Sequence, residues 1–265
     1  MSSPRELNIA LMQSDLVWQD PAANRQALGA QIRAAGGADL IVLPETFTTG
    51  FTLEAIVNAE PAGGPTREWL VNLATTRQVD ICGSVIVAAD GKYYNRLIWA
   101  SRDGTLYHYD KRHLFRMANE HEQFSAGRER LIVRIGDWRI CPMICYDLRF
   151  PVWSRNRDDY DLLLYVANWP QPRHSAWTTL LPARAVENLC YVAGVNRAGV
   201  DGNGIASAGE SMVVDYLGRQ VAAAGDQPAT VTATLSLDDL ERYRRKFPAH
   251  RDADAFTLHT DPDSR

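Results

Sequence analysis

Three short segments of this chain place reactive side chains where apolar runs end. Cys145 follows Pro142-Met143-Ile144 and precedes Tyr146-Asp147-Leu148-Arg149, so a thiol sits where a buried strand gives way to a polar turn. Glu45 ends a similar run in Leu43-Pro44-Glu45-Thr46-Phe47, and Lys111 follows an alternating segment in Tyr109-Asp110-Lys111-Arg112-His113. A sulfur nucleophile, a carboxylate base and a cation together suit acyl transfer. A free thiol, with a pKa of about 8.5, is mostly protonated at neutral pH, so Cys145 needs help. Glu45 can take its proton, and burial raises a carboxylate toward the basicity that task requires. Lys111 and the Tyr146 N–H would hold the developing oxyanion. Singly, each residue has a structural reading: a packed thiol, a strand-end acid facing water, a solvated lysine beside Arg112. The joint pattern selects the chemistry.

Residues 7–13 and the continuous apolar run Ala38–Leu43 read as strands, the second buried on both faces. Helices are expected at 21–35, opened by Pro21 after Asp20, and at 65–78, with Pro65 near its start. Strands follow at 80–88, 93–101 and 105–110, with turn signals at Asp90-Gly91 and Asp103-Gly104. The pattern then repeats: strands at 130–135 and 138–145, a short helix at 151–157, a strand at 161–167, a long helix at 174–189 and a strand at 190–196. Further strands at 210–215, 219–224 and 229–235 precede a charged helix at 237–246. Both halves read strand-helix-strand-helix-strand and then hairpins, which predicts two similar α/β layers packed as one domain over residues 1–265. The polar stretch 249–265 reads as a tail, frayed or docked on a neighbouring subunit.

The chain has 265 residues, 46% of them hydrophobic, enough for a packed core. A net charge of −4 argues against a nucleic-acid surface. No apolar run approaches the length of a membrane span, and the N-terminus lacks the apolar centre of a signal peptide, so a soluble, cytoplasmic protein is expected. Four cysteines are too few for a disulfide framework, and Cys141 and Cys145 have no matching pair for zinc. Cys82 and Cys190 lie inside apolar runs and read as core.

The three segments around Glu45, Lys111 and Cys145 resemble the signature motifs of the carbon–nitrogen hydrolase, or nitrilase, superfamily, in the same chain order. The likeness runs from about residue 7 to residue 248. It implies an α/β fold, a four-layer α-β-β-α sandwich, a Glu-Lys-Cys triad, and chemistry without a metal or organic cofactor. It also implies a second glutamate between lysine and cysteine that positions the lysine. Glu120 matches that place, with Glu122 as runner-up.

The wording Cys-Tyr-Asp-Leu-Arg-Phe-Pro, with Asn168-Trp169-Pro170 and the later Arg173, resembles the ω-amidase branch. This implies hydrolysis of the terminal amide of 2-oxo acids such as 2-oxoglutaramate or 2-oxosuccinamate, through a cysteine thioester. Tyr146, Asn168, Trp169 and Arg173 are the expected substrate contacts, with Arg173 suited to a carboxylate. Arg149 is another candidate, but Asp147 nearby suggests a structural ion pair. His113 and His174 invite a Cys-His reading that the Glu-Lys-Cys pattern makes unnecessary. Nitrilase or N-carbamoyl amino acid hydrolase activity uses the same triad. Leu148 replaces an arginine typical of the latter. A non-catalytic binding protein is the reading from a different class, and retention of all three residues weighs against it. A homodimer is expected, with the helices at Pro151–Arg157 and Arg173–Asn188 on its face.

Overall fold

The computed structural model describes residues 5–259. Thirteen strands occur among them. The first six are β1 (Glu6–Gln13), β2 (Leu40–Val42), β3 (Glu60–Pro61), β4 (Asp80–Ala89), β5 (Lys92–Ala100) and β6 (Leu106–Asp110). Next come β7 (Val133–Ile135), β8 (Trp138–Ile144), β9 (Leu162–Ala167) and β10 (Tyr191–Asn196). The last are β11 (Met212–Val214), β12 (Gln220–Ala223) and β13 (Ala229–Ser236). The longer helices are α1 (Pro21–Ala34), α2 (Pro65–Arg77), α3 (His174–Asn188) and α4 (Leu237–Lys246).

One sheet runs β13-β1-β2-β4-β5-β6, with β3 beside β4, and the other runs β12-β11-β10-β9-β8-β7. Each has three parallel strands at its centre: β1, β2 and β4 in the first, β8, β9 and β10 in the second. Antiparallel strands flank both sets. The repeated plan expected from the sequence is therefore present, with one difference. The last strand, β13, leaves the second half and pairs with β1 along its whole length, from Glu6↔Ser236 to Gln13↔Ala229.

Strand periodicity explains the layering. Leu7, Ile9 and Leu11 of β1 join Leu40, Val42 and Trp99 in the core shared by the two sheets. Ala10, Met12 and Ile41 turn the other way, onto Leu28 and Ile32 of α1 and Leu70 and Ala74 of α2. Beyond the second sheet, Trp177 and Leu181 of α3 press on Gly194 of β10 so closely that a Cβ there would lie 2.7 Å from Leu181. The layers are helix, sheet, sheet, helix.

Local chemistry fixes the ends. The Asp20 carboxylate accepts from the Ala23 N–H at 2.9 Å to cap α1, and Ser236 accepts from Asp239 at 3.2 Å to cap α4. Asp90 and Gly91 both have positive φ, +52° and +71°, as a tight hairpin between β4 and β5 requires. The apolar run Ala38–Leu43 yields only Leu40–Val42 as strand. The Leu43 N–H still donates to the Cys82 carbonyl, but Pro44 has no N–H to continue the ladder. The helix expected at 151–157 is a single turn, Pro151–Ser154. After it the Asn156 N–H donates to the Asn188 side chain and draws the chain toward α3. Of the expected tail, Ala249–Asp252 forms a short 3₁₀ turn, and residues 260–265 lie outside the described residues.

Gly83 in β4 allows the close approach that places the Glu45 turn. A Cβ at this position would lie 2.7 Å from the Leu43 Cβ and 2.8 Å from Phe47, both buried. Gly83→Ala is expected to destabilise the protein by about 1–3 kcal/mol through overpacking. A melting temperature lowered by roughly 3–10 °C would match this, and an unchanged one would contradict it.

Candidate active site

Glu45, Lys111, Cys145 and Asn168 emerge just past the ends of β2, β6, β8 and β9, and their side chains converge on one cleft. Glu45 and Glu120 are fully buried and Lys111 nearly so. The Lys111 ammonium lies between the two acids, 2.8 Å from Glu45 Oε1 and 2.9 Å from Glu120 Oε1. Of the two candidate loop acids, Glu120 is the one in the site, and Glu122 faces solvent.

Every carboxylate oxygen of the two acids is supplied with a donor. Glu45 Oε1 also accepts from Asn95 Nδ2 at 2.8 Å, and Oε2 accepts from the Asn168 N–H at 2.8 Å. Asn168 Nδ2 donates to the Glu45 carbonyl at 2.5 Å and to Thr46 Oγ1 at 3.1 Å. Glu120 Oε2 accepts from the Phe115 N–H at 2.5 Å. Asn168 follows a strand of the second sheet and Glu45 a strand of the first, so these bonds fasten the ends of the two sheets together at the site. Asn95 was not singled out from sequence. Its signal was an amide inside the otherwise apolar and aromatic strand Tyr93–Trp99, a residue type depleted in strands.

The backbone is left-handed at three points of the array, at Thr46 (φ +40°), Asn119 (φ +59°) and Cys145 (φ +44°). Non-glycine residues adopt this region at a cost of about 1–3 kcal/mol, and only where surrounding contacts impose it. At Thr46 those contacts are the Ser84 hydroxyl, which accepts the Thr46 N–H at 2.8 Å, and the Ser84 carbonyl, which accepts the Phe47 N–H. At Cys145 the imposing group is Asp147. Its carboxylate accepts from the Ile144 N–H at 3.0 Å, the Tyr109 hydroxyl at 2.6 Å and the His113 N–H at 2.9 Å, and it contacts the His113 ring at 2.8 Å. The turn carrying Cys145 is thereby tied to the segments on both sides of Lys111.

This corrects one expectation. Asp147 does not pair with Arg149; its carboxylate is engaged by Ile144, Tyr109 and His113. The Arg149 side chain instead lies over the Trp169 ring, 5.2 Å from its centre. Neither His113 nor His174 lines the cleft; His174 sits 3.3 Å from Glu210.

The electrostatics have a clear sense. Burial disfavours the Lys111 ammonium, but the Glu120 and Glu45 carboxylates outweigh it and hold the lysine pKa above its ordinary value. Burial raises Glu120, against the pull of Lys111. Burial and then the Glu45 carboxylate push the Cys145 thiol well above its usual range, with Lys111 opposing. Cys145 therefore rests as a thiol, in the same cleft as the Glu45 carboxylate.

The cleft encloses about 120 Å³. Tyr146, Asn168, Trp169 and Arg173, the expected substrate contacts, all line it. Phe51, Phe115 and Arg197, which sequence did not single out, line it too. They come from loops whose sequence carries no periodic signal.

The fold and its cleft place the chain among hydrolases that cleave carbon–nitrogen bonds. The family model for carbon–nitrogen hydrolases matches residues 8–245, and the chain belongs to that family and is a hydrolase acting on amides. It is 49% identical to omega-amidase YafV of Escherichia coli (strain K12), over 95% of this chain and 98% of that protein. It is 34% identical to a 2-oxoglutaramate amidase of Bacillus subtilis (strain 168), over 92% of this chain and 96% of the other. A crystal structure of a CN-hydrolase superfamily protein from Xanthomonas campestris, with an arsenic adduct in its active site, superposes with a TM-score of 0.94. It is 50% identical, covering 96% of this chain and 99% of that one.

Cys82, Cys141 and Cys190 are fully buried and Cys145 is partly accessible, so an alkylating reagent should modify Cys145 alone. Glu45→Gln removes the negative charge that raises the thiol, so alkylation of this variant at neutral pH should be faster. Each pKa unit recovered multiplies the thiolate fraction about tenfold and, after its lower nucleophilicity, the rate about threefold. Slower labelling of Glu45→Gln, followed by mass spectrometry, would contradict the charge assignment.

Proposed function

We propose that this protein is an ω-amidase. It hydrolyses the terminal amide of a small 2-oxo dicarboxylic acid monoamide, 2-oxoglutaramate or 2-oxosuccinamate, to the acid and ammonia. The observation that carries the reading is the Lys111 ammonium held between two buried carboxylates beside a thiol in an arginine-bearing cleft. The names of the bacterial relatives support the substrate.

Glu45 takes the proton of Cys145 as sulfur attacks the amide carbon, forming the C–S bond. The carbonyl oxygen becomes an oxyanion held by Lys111 and the Tyr146 N–H. Collapse breaks the C–N bond, and Glu45 returns its proton to the leaving nitrogen, which departs as ammonia. Water then loses a proton to Glu45 and attacks the thioester. A second oxyanion collapses, sulfur leaves, and Glu45 reprotonates it. Lys111 is suited to its role because its charge is held against burial, so the donor is already in place when negative charge develops. Loss of one such donor costs about 10²–10³ in kcat in other acyl-transfer enzymes. Glu120 positions Lys111 through a 2.9 Å contact. Tyr146, Asn168 and Trp169 shape the pocket, and Arg173 faces the substrate carboxylate.

The reading extends to a cytoplasmic homodimer whose residues 1–265 act as one catalytic domain with a polar tail from residue 249. All four thiols are free, as a reducing compartment maintains them. Among the described residues no helix is long and apolar enough to cross a membrane.

Ammonia release tests the proposal, measured with 2-oxoglutaramate, a small nitrile and an N-carbamoyl amino acid. Preference for 2-oxoglutaramate is expected, with Cys145→Ala reducing kcat by about 10³-fold or more. Cys145-dependent preference for either other substrate would retain the triad and reject the ω-amidase reading. Undiminished turnover by Cys145→Ala would reject the mechanism.

A further inference from the structure

Among the residues that line the cleft, two buried side-chain atoms have no hydrogen-bond partner among the described residues: Asn168 Oδ1, an acceptor, and Arg197 Nη1, a donor. Buried polar groups are nearly always paired, so an orphan in a binding cleft calls for a reason. Arg197 is the stronger case, because it is 1% exposed and the rest of its guanidinium is committed. Nε donates to the Ala198 carbonyl at 2.9 Å. Nη2 donates to Asp15 Oδ1 at 2.9 Å and to the carbonyls of Val200 and Leu16 at 3.3 and 3.4 Å. These contacts fix the plane of the fork, and Asp15 balances its charge. What Nη1 lacks is therefore an acceptor and not a counter-ion.

The surroundings hold this donor in place. Arg197 directly follows β10, whose last residue, Asn196, donates to the carbonyls of Trp169 and Gly209 at 3.1 and 2.9 Å. Across from it, a Cβ on Gly50 would lie 3.7 Å from Nη1. Phe51, next in the chain, lines the cleft with its ring 5.2 Å from Lys111 Nζ. The cleft carboxylate other than Glu45, Asp201, accepts from the Asn203 and Ile205 N–H groups of its own loop at 2.9 Å. The proposed substrate has an acceptor to match. Its amide oxygen is taken by Lys111 and the Tyr146 N–H, and its carboxylate faces Arg173. The 2-oxo oxygen is the acceptor still without a donor, and it is uncharged, as suits a guanidinium whose charge is already balanced.

We infer that Arg197 is a specificity-determining residue whose Nη1 donates to the 2-oxo oxygen of the substrate, so that the cleft selects a 2-oxo amide over one with a methylene at that position. This rests on the ω-amidase reading and deepens it. A donor fixed in advance gives up little freedom when the oxo oxygen arrives. A methylene in the same place would leave the donor unpaired in the complex, and sites built to hydrogen-bond a substrate group reject analogues that lack it.

The test compares 2-oxoglutaramate with glutaramate, the same amide with a methylene in place of the 2-oxo group, for wild type and Arg197→Lys. Wild-type kcat/KM should be about 10–100-fold higher for 2-oxoglutaramate, the range for a hydrogen bond to a charged donor. Arg197→Lys keeps a charge opposite Asp15 but offers one ammonium in place of the fork, and the ratio should fall to about threefold or less. A crystal structure of Cys145→Ala with 2-oxoglutaramate bound needs no change at Arg197, and should place the 2-oxo oxygen about 3 Å from Nη1. Equal wild-type turnover of the two amides, a preference that Arg197→Lys retains, or an oxo oxygen facing another group would each overturn the inference. None of these touches the ω-amidase reading, which is judged against the nitrile and the N-carbamoyl amino acid. Absence of wild-type turnover of 2-oxoglutaramate would instead overturn that reading, and this inference with it.

Discussion

A single buried cation organises the catalytic end of this fold. Lys111 is held at 2.8 and 2.9 Å by Glu45 and Glu120, and all three are withdrawn from water. Such an arrangement is stable only if the charges are paired and the remaining lone pairs are filled. Asn95, Asn168 and the Phe115 amide do the filling. Removing Lys111 would strand two buried carboxylates, and breaking a buried pair in this way typically costs about 3–5 kcal/mol. The array therefore dictates where β2, β6 and the loop before Glu120 must end, and it draws β9 of the opposite sheet into contact through Asn168.

The thiol is subordinate to that charge balance. Burial, and after it the Glu45 carboxylate, outweigh the pull of Lys111, so a thiolate at Cys145 is disfavoured at rest. The proton stays on sulfur at rest, and the proposed reaction moves it to Glu45 only as sulfur attacks the amide carbon. The negative charge then appears on the substrate oxygen. Asp147 keeps this economy geometrical: it clamps the left-handed turn at Cys145 to Tyr109 and His113, which bracket Lys111. Thiol and ammonium are consequently set by one hydrogen-bonded unit.

Much of this was legible in the sequence, for identifiable reasons. Glu45, Lys111 and Cys145 each follow an apolar or alternating strand, and strand ends can be read from periodicity. Helix α4 was predicted with its observed limits, Leu237–Lys246, because its capping serine and its charge polarity are local. The Arg149–Asp147 pairing that sequence proximity suggests does not form, because side chains two apart on a 3₁₀ turn face different directions. The true partners of Asp147 lie 34 and 38 positions away, at His113 and Tyr109, and no local pattern announces them. The loops that bring Phe51 and Arg197 to the cleft, and the return of β13 to β1, depend in the same way on tertiary packing.

The most direct test is the mass of Cys145 during turnover. Acid quenching in the presence of excess 2-oxoglutaramate, followed by peptide mass spectrometry, should find the substrate acyl group (substrate less ammonia) on Cys145 and on no other residue. The adduct should vanish once substrate is exhausted. Full turnover with Cys145 unmodified at every quench time, or an acyl group on a different side chain, would contradict the account.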